Sequence, residues 1–172
     1  KALQLFSGIG LFIVPILFFA YLTNFNLRFY KINRQNTILV IAIMLLITPF
    51  IGLLLEWNMM IDFPKWLLKF DVNSEALVAA FLQMDDIWDL IYTLLVIAVV
   101  PAIGEELLFR GYLQKKIFDW QTNPHIAILI TAFLFSAIHF HLQGIIPRFV
   151  LGVLLGYVFY WGNSIWLPIL AH

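Results

Sequence analysis

Cysteine is absent from this 172-residue chain. Disulfide staples, thiolate metal sites and a cysteine nucleophile are therefore excluded. Charge is scarce too, at 12% of residues against about 25% in an ordinary globular protein. Ten acidic residues balance ten basic ones, so the formal net charge is zero and no nucleic-acid partner is expected. The His-Glu-x-x-His motif of soluble zinc proteases occurs nowhere. Nor is there the alternating ten-residue signature of a membrane barrel. The chain also shows no internal repeat of the kind that marks the matched halves of a transporter. Nothing in it sets an oligomeric state.

Apolar residues are abundant, at 63%, with 17% aromatic. That composition belongs to an integral membrane protein. A span of about 20 apolar residues crosses the hydrocarbon core, and this length divides the sequence. Leu3 to Leu22 is the first expected span and Ile38 to Leu55 the second. A third lies between Ile87 and Leu113, with Pro101 and Gly104 weakening or bending it. Ile126 to Phe140 is the fourth, Ile145 to Trp161 the fifth, and Ile165 to His172 begins a sixth. Lipid satisfies no backbone group, so the expected fold is an all-α polytopic transmembrane bundle with about six visible spans. The chain has no initial Met and stops at His172 inside an apolar run, which reads as a piece of a longer protein. Leu3 to Leu22 is too long for the core of a signal peptide and reads as a retained span.

Two regions are expected. Residues 1–86 hold the N-terminal spans and an interfacial segment, Glu56 to Asp86, with six acids against two lysines. Trp57, Trp66 and Trp88 suit the membrane–water boundary, and no residue of that segment stands out for function. Residues 87–172 hold the chemistry. Arg28, Lys31 and Arg34 join spans one and two, and Lys115 and Lys116 follow span three, which places both connections in the cytoplasm and the acidic segment outside. Gly152 and Gly156 form a small-xxx-small pair whose first use is packing within the bundle. Gly8 and Gly10 thin the first span.

The charged run Glu105-Glu106-x-x-x-Arg110 interrupts apolar sequence. An ionised group at membrane depth costs a few kcal/mol or more and faces a cavity or a partner. Glu106 and Arg110 are spaced i, i+4 and can pair on a helix, leaving Glu105 as a working carboxylate. A snorkelling helix end is the plain alternative. Of the four histidines, His125 follows Pro124 at an expected helix start and suits the interface. His141 falls on the loop side, whereas His139 and His172 end apolar runs. Counted from Ile87, Glu105 falls near the cytoplasmic face while His139 lies about 22 Å along span four. A crossing from near Thr93 through Leu113 brings Glu105 to mid-membrane and removes most of the mismatch.

A carboxylate and imidazoles converging from three helices can activate a water by general-base catalysis, with an N–H turned to the developing oxyanion. Two imidazoles and a carboxylate are also the ligand set of a catalytic zinc. The residues permit both.

Glu105-Glu106-x-x-x-Arg110, Phe135-x-x-x-His139 and Pro168-Ile169-Leu170-Ala171-His172, in that order, resemble the CPBP family of type II CAAX prenyl endopeptidases and bacteriocin-processing or immunity proteins. The flanks agree: Pro101-Ala102, Phe109-Arg110-Gly111 and Asn163-Ser164-Ile165-Trp166-Leu167-Pro168. The resemblance covers roughly Leu90 to His172 and implies an intramembrane endopeptidase acting on a peptide or protein substrate in contact with membrane lipid. It implies Glu105 as the catalytic glutamate, His139 as its helper on the water and His172 as the oxyanion stabiliser. Glu106 and Arg110 are implied to shape the site. The family's third motif continues with an Asn four positions beyond the histidine, past His172. No cofactor is expected, with zinc on Glu105, His139 and His172 as the lesser option. Relatives of this kind imply a bacterial cytoplasmic membrane. The alternatives are a non-catalytic immunity or scaffold protein of the same fold and, from another class, a proton-coupled transporter. On the enzyme reading, Glu105, His139 and His172 share one polar cavity, and His125 and His141 lie outside it.

Overall fold

A backbone withdrawn from water must satisfy its own hydrogen bonds, and here it does so in helices. The computed structural model describes residues 6–68 and 86–172, and all regular structure among them is helical. Most of the acidic segment expected between Glu56 and Asp86 lies outside the described residues. Helix α1 spans Phe6–Thr23 and α2 spans Arg34–Met59. A single turn, α3, covers Lys65–Leu68. Helix α4 runs over Ile87–Trp120, α5 over Pro124–Ala137, α6 over Ile145–Gly162 and α7 over Trp166–Ala171.

Four of these, α1, α2, α4 and α6 with its preceding turn Leu142–Gly144, are long and apolar enough to cross a membrane. The expected six spans are therefore not all of crossing length. Helix α5 has 14 residues, about 21 Å at 1.5 Å per residue, against a hydrocarbon core of about 30 Å. It stops short, and His139 sits just past its end. Helix α7 has six residues.

Pro15 and Pro101, like Pro49 in α2, fall within long helices without ending them. Proline removes a donor and its ring crowds the carbonyl four residues back. In α1 the five residues Ile9–Ile13, just before Pro15, widen to π-helical bonding, with the Val14 N–H donating to the Ile9 carbonyl. In α4 the five residues Leu95–Val99, just before Pro101, do the same, with the Val100 N–H donating to the Leu95 carbonyl. The wider turn makes room for the ring, so Pro101 does not sever the helix ahead of the glutamates.

Helix α4 also continues past the expected end at Leu113. The Lys115 ammonium lies 4.5 Å from the centre of the Phe25 ring and donates to the Asn26 carbonyl, so this cation is held without leaving the helix. The helix ends where Thr122 takes a left-handed conformation with φ 58°. Asn123 then caps α5, its side-chain oxygen accepting from the N–H of His125 at 2.9 Å. The extension alters the depth argument. From Glu105 to Trp120, and from Pro124 to His139, the chain covers 15 residues each way. Both side chains thus lie about 22 Å from the α4–α5 connection. The mismatch in depth disappears because α4 is longer at its C-terminal end.

Close helix contacts use glycine where a Cβ has no room. A Cβ on Gly156 would lie 2.8 Å from Ile128, and one on Gly152 would lie 3.1 Å from Ala132, so α6 packs backbone-close on α5. A Cβ on Gly104 would meet Phe12 at 2.9 Å, which seats α1 against α4 one residue before Glu105. Gly8 is similarly close to Val100 at 3.0 Å, whereas Gly10 faces open space. Ile16, Leu27, Leu107, Phe159 and Ile165 form one buried cluster joining α1, the α1–α2 connection, α4 and α6. The connection also fixes the entry to α7: the Ile165 N–H donates to the Arg28 carbonyl at 3.0 Å, and the Ser164 hydroxyl to the Tyr30 carbonyl at 2.6 Å.

Replacing Gly156 by Val is expected to destabilise the bundle by about 1–3 kcal/mol through overpacking, while Gly10→Ala should be neutral or mildly stabilising. Thermal unfolding in detergent, followed by circular dichroism, checks the pair. Equal midpoints for the two variants would contradict the close α5–α6 contact.

Candidate active site

Glu106 and Arg110 occupy one face of α4, a turn apart, and both side chains are fully buried. The Arg110 Nη1 donates to Glu106 Oε1 at 2.7 Å, forming the i, i+4 pair expected from the sequence. Its Nη2 donates to the Gly152 carbonyl of α6 at 3.2 Å, and its guanidinium carbon lies 4.5 Å from the centre of the Phe135 ring on α5. The π-helical stretch Leu107–Gln114 carries Arg110. The same Glu106 oxygen accepts from His172 Nδ1 at 2.8 Å. One carboxylate oxygen thus receives donors from α4 and from the end of α7.

Glu105, next in the chain, points about 100° away around the helix and is 20% exposed. Its two oxygens face two different histidines. Oε1 is 3.8 Å from His139 Nε2, and Oε2 is 3.8 Å from His172 Nε2. The three side chains expected to converge meet through Glu105, which lies 3.8 Å from each histidine, and they come from α4, from the residue after the end of α5 and from the end of α7. They do not surround the single polar cavity expected: Glu105 and His139 line one cavity and His172 another, both mainly apolar because apolar residues of the neighbouring helices make up most of each wall. A separation of 3.8 Å is too long for a direct hydrogen bond and is of the kind a water bridges.

The partners of the other ring nitrogens fix the hydrogen positions. His139 Nδ1 lies 2.8 Å from the Phe135 carbonyl. A carbonyl only accepts, so Nδ1 carries the hydrogen and, in the neutral ring, Nε2 presents a lone pair. His172 is arranged alike, because Glu106 paired with Arg110 also only accepts. In the neutral rings both Nε2 atoms are then acceptors like the Glu105 oxygens, each 3.8 Å from its own oxygen of that carboxylate. Such a cluster suits a molecule that brings its own protons, as water does.

Phe135 organises the aromatic wall. Its ring centre is 5.1 Å from Phe109, 5.1 Å from His139 and 6.1 Å from His172. Two cavities flank the centre. One, of about 200 Å³, is lined by Phe12, Glu105, Phe109, Ile138 and His139. The other is an open apolar cleft of about 430 Å³ that ends at His172 and is walled by Ala102, Ile103, Trp166 and Ile169 among others. His125 and His141 line neither: His125 Nδ1 is 2.7 Å from the Tyr157 hydroxyl, and His141 begins the turn into α6.

Among the described residues, no group of three His, Asp or Glu side chains is disposed to hold a metal ion. In the Glu105, His139 and His172 set, each histidine faces a different oxygen of the carboxylate, at 3.8 Å. Sequence reasoning missed two residues of this region, Phe12 and Asn58. Phe12 looked like one apolar residue among many. Asn58 sits beside Trp57 at a helix end, in the segment read as lacking functional residues, yet its side chain is fully buried.

Removing one partner of a buried ion pair strands the other, at a cost of about 3–5 kcal/mol. Arg110→Ala is therefore expected to lower the yield and thermal midpoint of folded protein sharply, whereas Glu105→Gln, nearly isosteric at a partly exposed position, should not. Size-exclusion profiles and melting curves of the two variants provide the check, and equal losses would contradict the division between a structural and a free glutamate.

Comparison with known families is consistent with these motifs. A family model described as type II CAAX prenyl endopeptidase Rce1-like matches residues 87–172, from the start of α4 to His172. Searches of curated proteins and of solved structures return no match. With half of its length matched, including Glu105, Glu106, Arg110, His139 and His172, the chain belongs to the type II CAAX prenyl endopeptidase Rce1-like family.

Proposed function

We propose that this membrane protein is an intramembrane endopeptidase in which Glu105 and His139 activate a water. The observation that carries the reading is the acceptor cluster: two Glu105 oxygens, each 3.8 Å from a histidine Nε2. A water among them donates its hydrogens to Glu105 and to His139 Nε2, leaving an oxygen lone pair free to attack. Glu105 takes one proton as the new C–O bond forms, and the carbonyl oxygen of the substrate becomes an oxyanion. His172, protonated and held through Nδ1–H by Glu106, donates Nε2–H to that oxyanion. Collapse of the tetrahedral intermediate breaks the C–N bond, and the proton on Glu105 passes to the leaving amine. The second water proton stays on the attacking oxygen, so water and a peptide bond become a carboxylic acid and an amine, which at neutral pH part as carboxylate and ammonium, with no other reactant.

Arg110 and Glu106 take no proton in this scheme. They hold His172 at its angle and keep the positive charge of Arg110 committed away from Glu105. The substrate is a peptide or protein reaching the centre from the membrane, and the basic connections around Arg28 and Lys115 support a cytoplasmic reading of that end of the bundle. A bacterial cytoplasmic membrane is the setting we assign. The mechanism runs without metal, with zinc on Glu105, His139 and His172 as the competing form.

Glu105→Ala and His139→Ala are each expected to slow hydrolysis by about 10²–10⁴-fold, the usual contribution of general-base catalysis. The double variant should be no slower than the worse single one, because both residues act on one water. Cleavage of a peptide library by the full-length protein in detergent, read by mass spectrometry, measures this. Variants that cleave as fast as the unaltered protein would overturn the assignment. Activity surviving exhaustive chelation is expected, whereas loss restored by zinc would replace the metal-free mechanism with the zinc one.

A further inference from the structure

The family match begins at Ile87 and leaves α1 and α2 unassigned. Near the end of α2, Asn58 makes two contacts that cross into the matched half. Its Nδ2 donates to the Leu142 carbonyl at 2.9 Å, and its Oδ1 accepts from the Ile146 N–H at 2.9 Å. The Leu142 carbonyl belongs to the tight turn that carries the chain from His139 into α6, and the Ile146 N–H to the first turn of α6 itself. Both polar ends of a fully buried amide are thus used on backbone 84 and 88 residues away in sequence.

That turn needs an external hold. Phe140, directly after His139, adopts a left-handed conformation with φ 45°, a backbone region unfavourable for an aromatic residue. Helix α5 has already ended at Ala137, so His139 lies outside regular helical bonding and its placement depends on what fixes the segment beyond it. The Ser136 hydroxyl ties the near side, donating to the Ile145 carbonyl at 2.6 Å. Asn58 ties the far side to a different helix. A buried backbone group left without its bond keeps the cost of its lost hydration, so the turn is held where Asn58 reaches it.

We propose that Asn58 is a positioning residue for His139. It locks the 140–146 turn so that the His139 ring stays hydrogen-bonded through Nδ1 to Phe135 with Nε2 turned to Glu105. The N-terminal half of the chain thereby sets the angle of a site residue in the other half. The effect on turnover rests on the peptidase reading, while the effect on the His139 ring does not.

The test uses full-length protein in detergent with ¹⁵N-labelled histidine, comparing the unaltered chain, Asn58→Ala and Asn58→Ser. The unaltered protein should show His139 as a single Nδ1–H tautomer. In Asn58→Ala the His139 signal should average between tautomers and the Ile146 amide should exchange faster, with kcat down by about 10²-fold for a misplacement on the order of 1 Å and KM within twofold. Asn58→Ser, which keeps one hydroxyl for the Ile146 N–H, should fall between, and it carries the same readouts if Asn58→Ala does not fold. A folded variant whose His139 signal and kcat match the unaltered protein overturns the proposal, as does a loss confined to the amount of folded protein. If the unaltered protein cleaves no peptide, the peptidase reading fails while the tautomer and exchange data still decide the role of Asn58.

Discussion

A fully buried carboxylate and guanidinium inside an apolar bundle leave the chain little freedom. Neither Glu106 nor Arg110 reaches water, so each must find every partner within the protein. Their mutual bond supplies one partner. Others come from other helices: the Gly152 carbonyl of α6 and the Phe135 ring of α5 for Arg110, and the ring of His172 beyond α7 for Glu106, while Glu106 Oε2 and Arg110 Nε are buried with no hydrogen-bond partner among the described residues. Glycine at position 152 serves two ends here, since it lets α6 approach α5 closely and brings its carbonyl within reach of Arg110. One ion pair thus touches α4, α5, α6 and the residue that follows α7.

The same constraint separates two adjacent residues of identical chemistry. Glu106 faces inward and is neutralised by Arg110. Glu105, about 100° around the helix, meets two imidazoles and an opening to the flanking cavities. Because the nearest cation is already bonded to Glu106, the negative charge of Glu105 remains available. Which glutamate is structural and which is free follows from the helix face each occupies.

Much of this was readable in the amino-acid order. Glu105, Glu106, Arg110, His139 and His172 stand out because polar groups are rare in apolar runs, and the i, i+4 spacing alone proposes the ion pair. The span count was less readable, since a residue tally cannot tell a crossing helix from a short one that stops at a site, as α5 does. The end of α4 was set too early because Lys115 and Lys116 look like a boundary, whereas Lys115 is held by Phe25 and Asn26 from another part of the chain. The bond between His172 and Glu106 is non-local, and nothing in either neighbourhood announces it. Asn58 was passed over because a polar residue beside a tryptophan at a helix end looks like an interfacial residue, and only the fold shows it fully buried.

The wide turns of α4 carry a different implication. A π-helical turn accommodates one residue more than an α-helical turn, so each stretch offsets the angular phase of everything beyond it. Helix α4 has two such stretches, Leu95–Val99 and Leu107–Gln114, one on each side of Glu105. The part that bears the glutamates is therefore turned relative to both of its ends, and the face it offers the histidines is set independently of the faces presented at either end of the helix. In the language of sequence change, deleting a single residue from either stretch would leave a longer uniform α-helix and yet swing the glutamates away from their partners. Helical regularity and site alignment are opposed in this segment, and the irregular form is the one that aligns the site.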